Sequence, residues 1–384
     1  MVLDFGGQTA QLICRRIRDG GVFSIIRSGD TKLESKELEN VKGIVLSGSP
    51  YSVYEESAPR PDPSLRETGV PILGICYGLQ WLVKDGGGMI AAGMTREFGR
   101  SRINIRNSSP LFDDVDDNFI SWMSHSDTIE DAAGFATVAV SENGHPAALQ
   151  NSLGIYGLQF HPEVSHCEFG ERILDNFAVK ICGARREWSI DRFLDSTADR
   201  LRKKVGSAPV VTLISGGVDS SVVAALLLRI LRPDQVYLLY VDNGLMRFEE
   251  TKEIEASLRQ LGAINLHTVD ASERFFAALA GITDPERKRS AVGDEFVNVA
   301  VSELKRLNIN DAYLSQGTLY TDLVESGKGV GVSADVIKSH HNVRSPLIEE
   351  KRNAGILVEP LADLYKDEVR RLGRWLGLPD PVVG

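Results

Sequence analysis

The chain has 384 residues, and its 43 lysines and arginines are outnumbered by 53 aspartates and glutamates, giving a formal net charge of -10. A chain of this length predicts two or three domains, and the acidic balance argues against a broad basic surface for nucleic acid or for an anionic membrane. We therefore expect no nucleic-acid partner and no membrane partner, and we expect any phosphate to be bound locally.

The N-terminal stretch MVLDFGGQTA lacks the basic and apolar regions of a secretory signal peptide, and the longest apolar runs are shorter than a membrane-spanning helix requires. The four cysteines show no C-x-x-C spacing and are too few for a disulfide framework. These features predict a cytoplasmic protein in which a single cysteine is available as a nucleophile.

Short β-rich runs that end in small or polar residues recur along the chain. In chain order they are GIVLSGSP, VPILGICYG and GIYGLQFHPE, and then, after a charged helical stretch, PVVTLISGG, VYLLYVDNG and AYLSQGT. This alternation of strands and helices predicts an α/β fold with sites at the carboxyl ends of parallel strands. The charged stretch, 185–208, is predicted to be a linker helix between two α/β domains, 1–184 and 209–384.

The stretch PILGICYGLQWL places Cys76 between a predicted strand and a predicted helix, with Gly74 and Gly78 on either side. This is the pattern of a nucleophile elbow, where the N-terminus of the helix favours the reactive thiolate. A buried, inert thiol is the alternative, and the flanking glycines argue against it. The stretch GLQFHPEVSH supplies a base, His161, and strand alternation points Glu163 the same way. Taken alone, His-Pro-Glu is also typical of a solvated turn.

The stretch VTLISGGVDSSVVAALLLRIL, residues 211–231, begins as an apolar strand, stops at Ser215-Gly216-Gly217 and resumes an apolar helical pattern at Val222. Small residues before a helix N-terminus let backbone N–H groups approach a ligand closely, and phosphate is the natural occupant. A tight turn between strand and helix is the alternative. A Walker A loop is excluded because no Gly-Lys-Ser or Gly-Lys-Thr follows.

Residues 215–220 read SGGVDS, and this stretch resembles the SGGxDS loop of the N-type ATP pyrophosphatases at every defined position. In that family the loop holds the pyrophosphate end of ATP while the α-phosphate is attacked, so the resemblance implies AMP as the product. It assigns ATP binding to Ser215, Gly216, Gly217, Val218, Asp219, Ser220 and Ser221.

The first half of the chain is similar to the class I glutamine amidotransferases, which share a cysteine elbow, a distant HPE and an earlier glycine-rich turn, here LSGSP at 46–50. The resemblance implies that the thiol attacks the glutamine carboxamide and that two backbone N–H groups face the oxyanion. The catalytic residues it implies are Cys76, His161 and Glu163. The oxyanion and glutamine contacts it implies are Gly48, Tyr77, Gln80 and the SHSD stretch, 124–127.

Two positions depart from the usual pattern of this family. Ser49 and Ser126 stand where its members have glycine. We expect the two serines to restrict backbone angles that glycine allows, and so to alter turnover without removing the chemistry.

An amidotransferase domain followed by an ATP pyrophosphatase domain resembles the GMP synthetase family, and the similarity covers nearly the whole chain. Further matching stretches are YVDNGLMR, DPERKRSAVGDEF, SQGTLYTDLVES and LVEPLADLYKDEVRRLGRWLGLP. The resemblance implies a ligase in which ATP adenylylates the C2 oxygen of xanthosine 5'-monophosphate (XMP). Ammonia from glutamine then displaces AMP to give GMP, with pyrophosphate and glutamate as co-products.

The same resemblance implies a second set of ATP contacts and a metal ion that accompanies ATP. The contacts are Asp242, Gln316, Gly317, Lys338 and Lys366, and the ligand for Mg²⁺ is Asp367. For the lysines, a solvated surface charge is the alternative. No third ligand stands at suitable spacing from His340 and His341, so zinc is not expected.

Members of the GMP synthetase family continue beyond LGLP into a third domain that completes the substrate site and forms the homodimer, whereas this chain stops at Gly384. From this difference we expect a monomer that binds ATP well and XMP poorly. The alternative function is a truncated nucleotide-binding or glutaminase-only derivative that cannot complete GMP synthesis. NAD synthetase and asparagine synthetase are further alternatives, but they use a nitrilase-type domain or an N-terminal cysteine, whereas Cys76 is internal.

Overall fold

The computed structural model describes residues 1–33, 38–91, 96–245, 250–309, 311–325 and 346–384. These residues form two compact units, which separate between Ser189 and Ile190. Across the described ranges, no helix combines the length and the apolar character needed to cross a bilayer. Both units are α/β with parallel strands, as the sequence predicts.

Unit 1, residues 1–189, contains strands at β1 Val2–Asp4, β2 Ile26–Ser28, β3 Ile44–Leu46, β4 Ile72–Ile75, β5 Met89–Ala91, β6 Glu97–Ile105, β7 Asn118–His125, β8 Thr128–Asp131, β9 Ala136–Ser141, β10 Pro146–Gln150 and β11 Ile155–Leu158. Its helices are α1 Ala10–Asp19, α2 Tyr77–Asp85 and α3 Gly170–Asp175, the last continuing as a π-helix over Asn176–Ile181. Short 3-10 turns cover Pro63–Glu67 and Pro110–Phe112.

The main sheet of unit 1 has, within the described residues, the strand order β2-β1-β3-β4-β11-β10-β9-β6-β7. The pairs from β2 to β11 are parallel, and the pairs from β11 to β7 are antiparallel. A separate antiparallel pair joins β5 and β8. Strand β4 pairs in parallel with β3 and β11, so the carboxyl ends of the three strands lie at the same edge of the sheet. The residue that follows β4 lies at this edge.

Continuous apolar runs form the parallel strands of unit 1, as expected for strands that are covered on both faces. Every residue of β3 and of β4 is buried. Leu46, Tyr77 and Leu79 belong to the same core cluster, and burying a side chain of this size stabilises the fold by about 1.5–3 kcal/mol. The core therefore fixes the junction between β4 and α2, which carries Cys76.

Unit 2 begins at Ile190 and contains strands at β12 Val210–Ile214, β13 Val236–Asp242, β14 Asn265–Asp270, β15 Tyr313–Ser315 and β16 Leu357–Val358. Its helices are α4 Ile190–Val205, α5 Val218–Ile230, α6 Glu250–Gln260, α7 Ser272–Leu279, α8 Pro285–Arg306, α9 Tyr320–Glu325, α10 Pro346–Asn353, α11 Lys366–Trp375 and α12 Asp380–Val383. A 3-10 turn covers Pro233–Gln235.

The sheet of unit 2 is parallel throughout its described strands, in the order β14-β13-β12-β15-β16. From β12 the chain first builds outward through β13 and β14, and later returns to the other side with β15 and β16. The strand order thus reverses between β12 and β15. In open α/β sheets, ligands bind outside the carboxyl ends of the strands at such a switch point.

Helix α5 follows β12 and begins at Val218, four residues before the start that the apolar pattern predicts. Gly217 is its extended N-cap, with φ -76° and ψ 155°, and the hydroxyls of Ser220 and Ser221 both donate to the Gly217 carbonyl at 3.0 Å. The first turn is polar because it faces the loop, so the apolar pattern starts later than the helix. From Ser221 to Leu228 every residue is buried, as in helices that are covered on all sides.

Candidate active sites

Cys76 stands alone between β4 and α2, with φ 51° and ψ -106°. A non-glycine residue in this region is strained, and a sharp turn between strand and helix is the geometry of a nucleophile elbow. The flanking glycines are required by close packing. A Cβ atom at Gly78 would lie 2.5 Å from the Leu46 carbonyl oxygen, and one at Gly74 would lie 2.6 Å from the backbone nitrogen of Leu79.

His161 and Glu163 form a buried pair, in which the ring Nδ1 lies 2.7 Å from the carboxylate Oε1. A carboxylate only accepts, so Nδ1 carries the proton and Nε2 is left for Cys76. Strand alternation is the wrong reason for this pairing. Strand β11 ends at Leu158, and His161 and Glu163 lie in the turn that follows it. Arg16 of α1 holds this turn by donating from Nε to the Glu163 carbonyl at 3.1 Å.

Burial alone would lower the pKa of His161, but the hydrogen bonds to Cys76 and Glu163, with the charges of both partners, outweigh burial and raise the pKa to about 10. His161 therefore holds its proton at neutral pH and presents a cation to the thiol. Such a cation is the partner that a thiolate nucleophile requires.

Gly48, Cys76 and His161 meet at one point, because a Cβ atom at Gly48 would lie 3.2 Å from Cε1 of His161 and 3.8 Å from Cβ of Cys76. Within the described part of the chain, the backbone N–H groups of Gly48 and Tyr77 donate no hydrogen bond. Two unpaired donors beside a thiol form a suitable oxyanion site. Gln80 lies one turn into α2, and its Nε2 donates to the Asp127 carbonyl at 3.0 Å.

The backbone shows no strain at Ser49 or Ser126, and their effect on turnover stays a prediction. The described non-glycine residues with positive φ are Cys76, Asp114, Ala133 and Asn308, and neither serine is among them. The Ser49 hydroxyl donates to the Phe5 carbonyl at 2.8 Å, so serine stabilises this turn rather than straining it.

The loop after β12 lies at the switch point of the unit 2 sheet. Gly216 has φ 80°, which favours glycine, and the backbone nitrogen of Ser215 donates to the Ser220 hydroxyl at 3.3 Å. Lys366, the first residue of α11, donates to both carboxylate oxygens of Asp219 at 2.7 and 2.8 Å. The loop therefore carries a paired ammonium at the N-terminal turn of α5.

The turn after β15 packs directly on this loop. A Cβ atom at Gly317 would lie 3.1 Å from Cβ of Asp219, so glycine allows the two turns to touch. Gln316 is anchored through its backbone nitrogen, which donates to the Val358 carbonyl at 3.0 Å. The structure thus brings Gln316, Gly317, Lys366 and the 215–221 loop together at the switch point.

Asp242 ends β13 and is held by two local donors, the Gly244 backbone nitrogen at 2.9 Å and the Thr251 hydroxyl at 3.0 Å. Asp367 follows Lys366 on α11, and Arg371 donates to its carboxylate at 3.3 Å. In the described ranges, no group of three or more His, Cys, Asp or Glu gathers to hold a metal. Lys338, like His340 and His341, lies outside the described residues.

Two acidic residues that the sequence reading missed lie close to these sites. Glu359 follows β16, accepts a hydrogen bond from the Thr318 hydroxyl at 2.7 Å and pairs with Arg352 at 3.3 Å. A polar residue directly after a buried strand is a local signal, and it could have identified Glu359. Glu97 opens β6 and pairs across the sheet with His125; no local sequence signal marks that partnership.

Comparison with known proteins matches a family model to each unit. The family model for glutamine amidotransferase class-I matches residues 1–181, and the model for asparagine synthase matches 190–284. A glutamine-hydrolyzing GMP synthase of Caldicellulosiruptor saccharolyticus is 44% identical over all of this chain and 74% of the relative. The chain belongs to the glutamine-hydrolyzing GMP synthase family.

Other members of the GMP synthase family align equally well. The relative from Streptococcus uberis is 46% identical over the whole of this chain and 73% of its own length. The relative from Geobacillus kaustophilus is 44% identical over the whole of this chain and 74% of its own length. In this member of the GMP synthase family, the Cys76 elbow lies within the residues that the amidotransferase model matches. The loop after β12 lies within the residues that the asparagine synthase model matches.

Proposed function

We propose that this chain is a glutamine-dependent GMP synthase that acts on glutamine, ATP and XMP. Residues 1–184 would work as the glutaminase domain, 185–208 as the linker and 209–384 as the ATP pyrophosphatase domain. The observation that carries the proposal is the coexistence, in one chain of this family, of a strained Cys76 beside a buried His161 and a phosphate loop at a sheet switch point.

In the glutaminase reaction, the Cys76 thiolate attacks the carboxamide carbon of glutamine. The N–H groups of Gly48 and Tyr77 stabilise the oxyanion, and His161 gives its proton to the leaving amine, which departs as ammonia. Water then attacks the thioester and gives a proton to His161, and collapse of the intermediate releases glutamate and restores the Cys76 thiolate. Glu163 holds the ring in the orientation that both steps need.

In the synthetase reaction, the C2 oxygen of XMP attacks the α-phosphorus of ATP and pyrophosphate leaves. Ammonia then attacks C2 and AMP leaves, which gives GMP. The N–H groups of the 215–221 loop and the Lys366 ammonium would bind the departing pyrophosphate. Asp242 ends β13, and Gln316 and Gly317 follow β15 on the other side of β12. These residues would complete the ATP site, together with Lys338.

Asp367 is the residue that would hold Mg²⁺ with the phosphates. The described residues offer single carboxylates here rather than a closed cage, which suits Mg²⁺, because this ion is usually bound by one or two carboxylates, water and phosphate oxygens. The ion would neutralise charge on the pyrophosphate. We also infer a reducing, cytoplasmic setting, because all four cysteines are free.

The test is the stoichiometry of products from XMP, ATP and glutamine. The proposal expects GMP, AMP, pyrophosphate and glutamate in equal amounts, and GMP formation with ammonium salts in place of glutamine. Formation of ADP, or failure to form GMP from either nitrogen source, would contradict it.

A further inference from the structure

A buried contact between a carboxylate and a histidine ring, absent from the mechanism above, lies beside the glutaminase site. Glu97 at the start of β6 stands directly opposite His125 at the end of β7. Their side chains are 4% and 2% exposed, and Oε2 of Glu97 lies 3.2 Å from Nε2 of His125. The two atoms are in close polar contact but are not aligned as a hydrogen bond.

The neighbours of His125 hold its ring on both sides. Its Nδ1 lies 3.0 Å from the Asp127 carbonyl oxygen, and its Nε2 faces the Glu97 carboxylate. Both ring nitrogens therefore face oxygen atoms that only accept hydrogen bonds. Burial alone would raise the pKa of Glu97, but the polar contact with His125 and the hydrogen bonds from Asn143 and Ser141 outweigh burial and lower it to about 2.

The pair is connected to the segment that forms one wall of the glutaminase site, residues 124–127. The Asp127 carbonyl accepts from His125 and from Gln80, both at 3.0 Å. The Asp127 carboxylate accepts from the Ser52 hydroxyl at 2.6 Å. The Ser124 carbonyl lies 3.7 Å from the Cys76 sulfur. The segment therefore touches the nucleophile at Ser124, and the ring of its own His125 contacts its far end at Asp127.

A buried contact between polar groups adds little net stability, because desolvation offsets the attraction, and its benefit here is a defined geometry. Glu97 is itself fixed on its other side, where Oε1 accepts from Ser141 and Asn143, each at 2.8 Å. These donors belong to the end of β9 and the turn after it. The ring of His125 is therefore anchored to the antiparallel part of the sheet.

We propose that Glu97 is a positioning residue for glutamine binding, which it supports by holding the His125 ring and, through it, residues 124–127 beside Cys76. This inference rests on the proposed glutaminase function. The site it completes takes an amino acid with a terminal carboxamide, and the pair acts on its affinity rather than on the reactivity of the thiol.

The test compares Glu97→Ala, Glu97→Gln and the control Glu142→Ala in the full chain. Glu142 is exposed and lies between the two residues that donate to Glu97. For Glu97→Ala we expect KM for glutamine to rise by about tenfold or more, the effect of losing one charge-assisted contact, with kcat changed by less than about threefold. Glu97→Gln is expected to keep much of the affinity, because its amide has the same reach and still contacts Nε2 of His125, while Nδ1 keeps its contact with Asp127. Glu142→Ala matches the parent.

A second readout separates the pocket from the thiol. Iodoacetamide reports the reactivity of Cys76, and 6-diazo-5-oxo-norleucine, a glutamine analogue, reports the pocket. We expect Glu97→Ala to slow the reaction of Cys76 with the analogue and to leave its reaction with iodoacetamide unchanged. If Glu97→Ala fails to fold, Ser141→Ala removes one donor to Glu97 and is expected to raise KM by about threefold.

The outcomes separate failure of this inference from failure of the proposed glutaminase function. If the parent chain hydrolyses no glutamine, the proposed function fails. Two results with an active parent would show that Glu97 has no positioning role and would leave the glutaminase assignment standing. In one, the Glu97 and Ser141 variants keep the KM of the parent. In the other, Cys76 reacts more slowly with both reagents and to the same extent.

Discussion

At Cys76 the protein holds its reactive group without help from a ligand. The backbone is strained at φ 51°, and the base is a His161–Glu163 pair whose side chains are 9% and 0% exposed. At the loop after β12, the corresponding charges are the Lys366–Asp219 pair, which are 43% and 31% exposed. The first site is built into the core of its unit, and the second lies at the edge of a sheet in contact with water.

This difference follows from the chemistry of the two ligands. A thiolate needs a fixed cation and a fixed oxyanion site, because small displacements cost much of the rate. A pyrophosphate group brings several negative charges and orders flexible cations around itself. Substitutions at the first site should therefore abolish a reaction, and substitutions at the second should weaken binding in steps.

The largest effect is expected for Cys76→Ala. It should reduce glutamine-dependent GMP formation by about a thousandfold or more, because no other group forms the thioester, while ammonia-dependent formation is retained. The measurement is GMP formed with glutamine and with ammonium. Cys182→Ala, at a cysteine whose burial raises the pKa to about 12, is the matched control and should behave as the parent. Glutamine hydrolysis by Cys76→Ala at the parent rate would exclude the elbow as the site.

Stability should fall with rising pH because of His161. Its folded pKa is about 10 against a usual 6.5, so its contribution is complete below pH 6.5 and is lost as pH rises through about 10. The expected slope is at most about 1.4 kcal/mol per pH unit in that window. Calorimetric melting of the full chain at pH 6.5 to 10 measures it. His161→Asn should flatten the slope and His145→Asn should not, and equal slopes in all three proteins would argue against the buried imidazolium.

A smaller effect is expected at the phosphate loop. Lys366→Met should weaken ATP binding by about tenfold, because one charge-assisted contact to phosphate is lost. Its effect on stability should be within about 1 kcal/mol, since the exposed pair with Asp219 is solvated. Calorimetric titration with ATP and Mg²⁺ gives the affinity, and Lys203→Met, at an exposed lysine of α4, is the control. Unchanged ATP affinity in Lys366→Met would remove this lysine from the site; glutamine hydrolysis should not change in either variant.

The smallest effect is expected for Ser49→Gly. Because Ser49 has no positive φ and its hydroxyl bonds to Phe5, glycine should not raise turnover, and glutaminase kcat should stay within about threefold of the parent. The melting temperature should fall slightly. A large gain in kcat would mean that the serine does strain the turn next to Gly48.

The sequence predicted the parts of both sites that have local signals. Cys76 is flanked by glycines and the 215–221 loop interrupts an apolar run, so each could be read from its own neighbours, whereas Asp242 is assigned by the family resemblance. The pairing of Lys366 with Asp219 and of Glu97 with His125 could not. These partners are distant in sequence and meet only through strand order and register, which no local pattern specifies. The start of α5 was misplaced because a polar first turn hides a helix from apolar periodicity.

The complete burial of α5 has a consequence for local motion. Amide groups in a helix covered on every side exchange with solvent only when much of the surrounding unit opens, so those from Ser221 to Leu228 should be among the slowest in unit 2. The phosphate loop is joined directly to this rigid helix. Ligand binding is therefore expected to protect amides at residues 215–220 and leave the helix behind them almost unchanged, so that adaptation to ATP occurs in the turns that approach the loop, around Gly317 and Lys366.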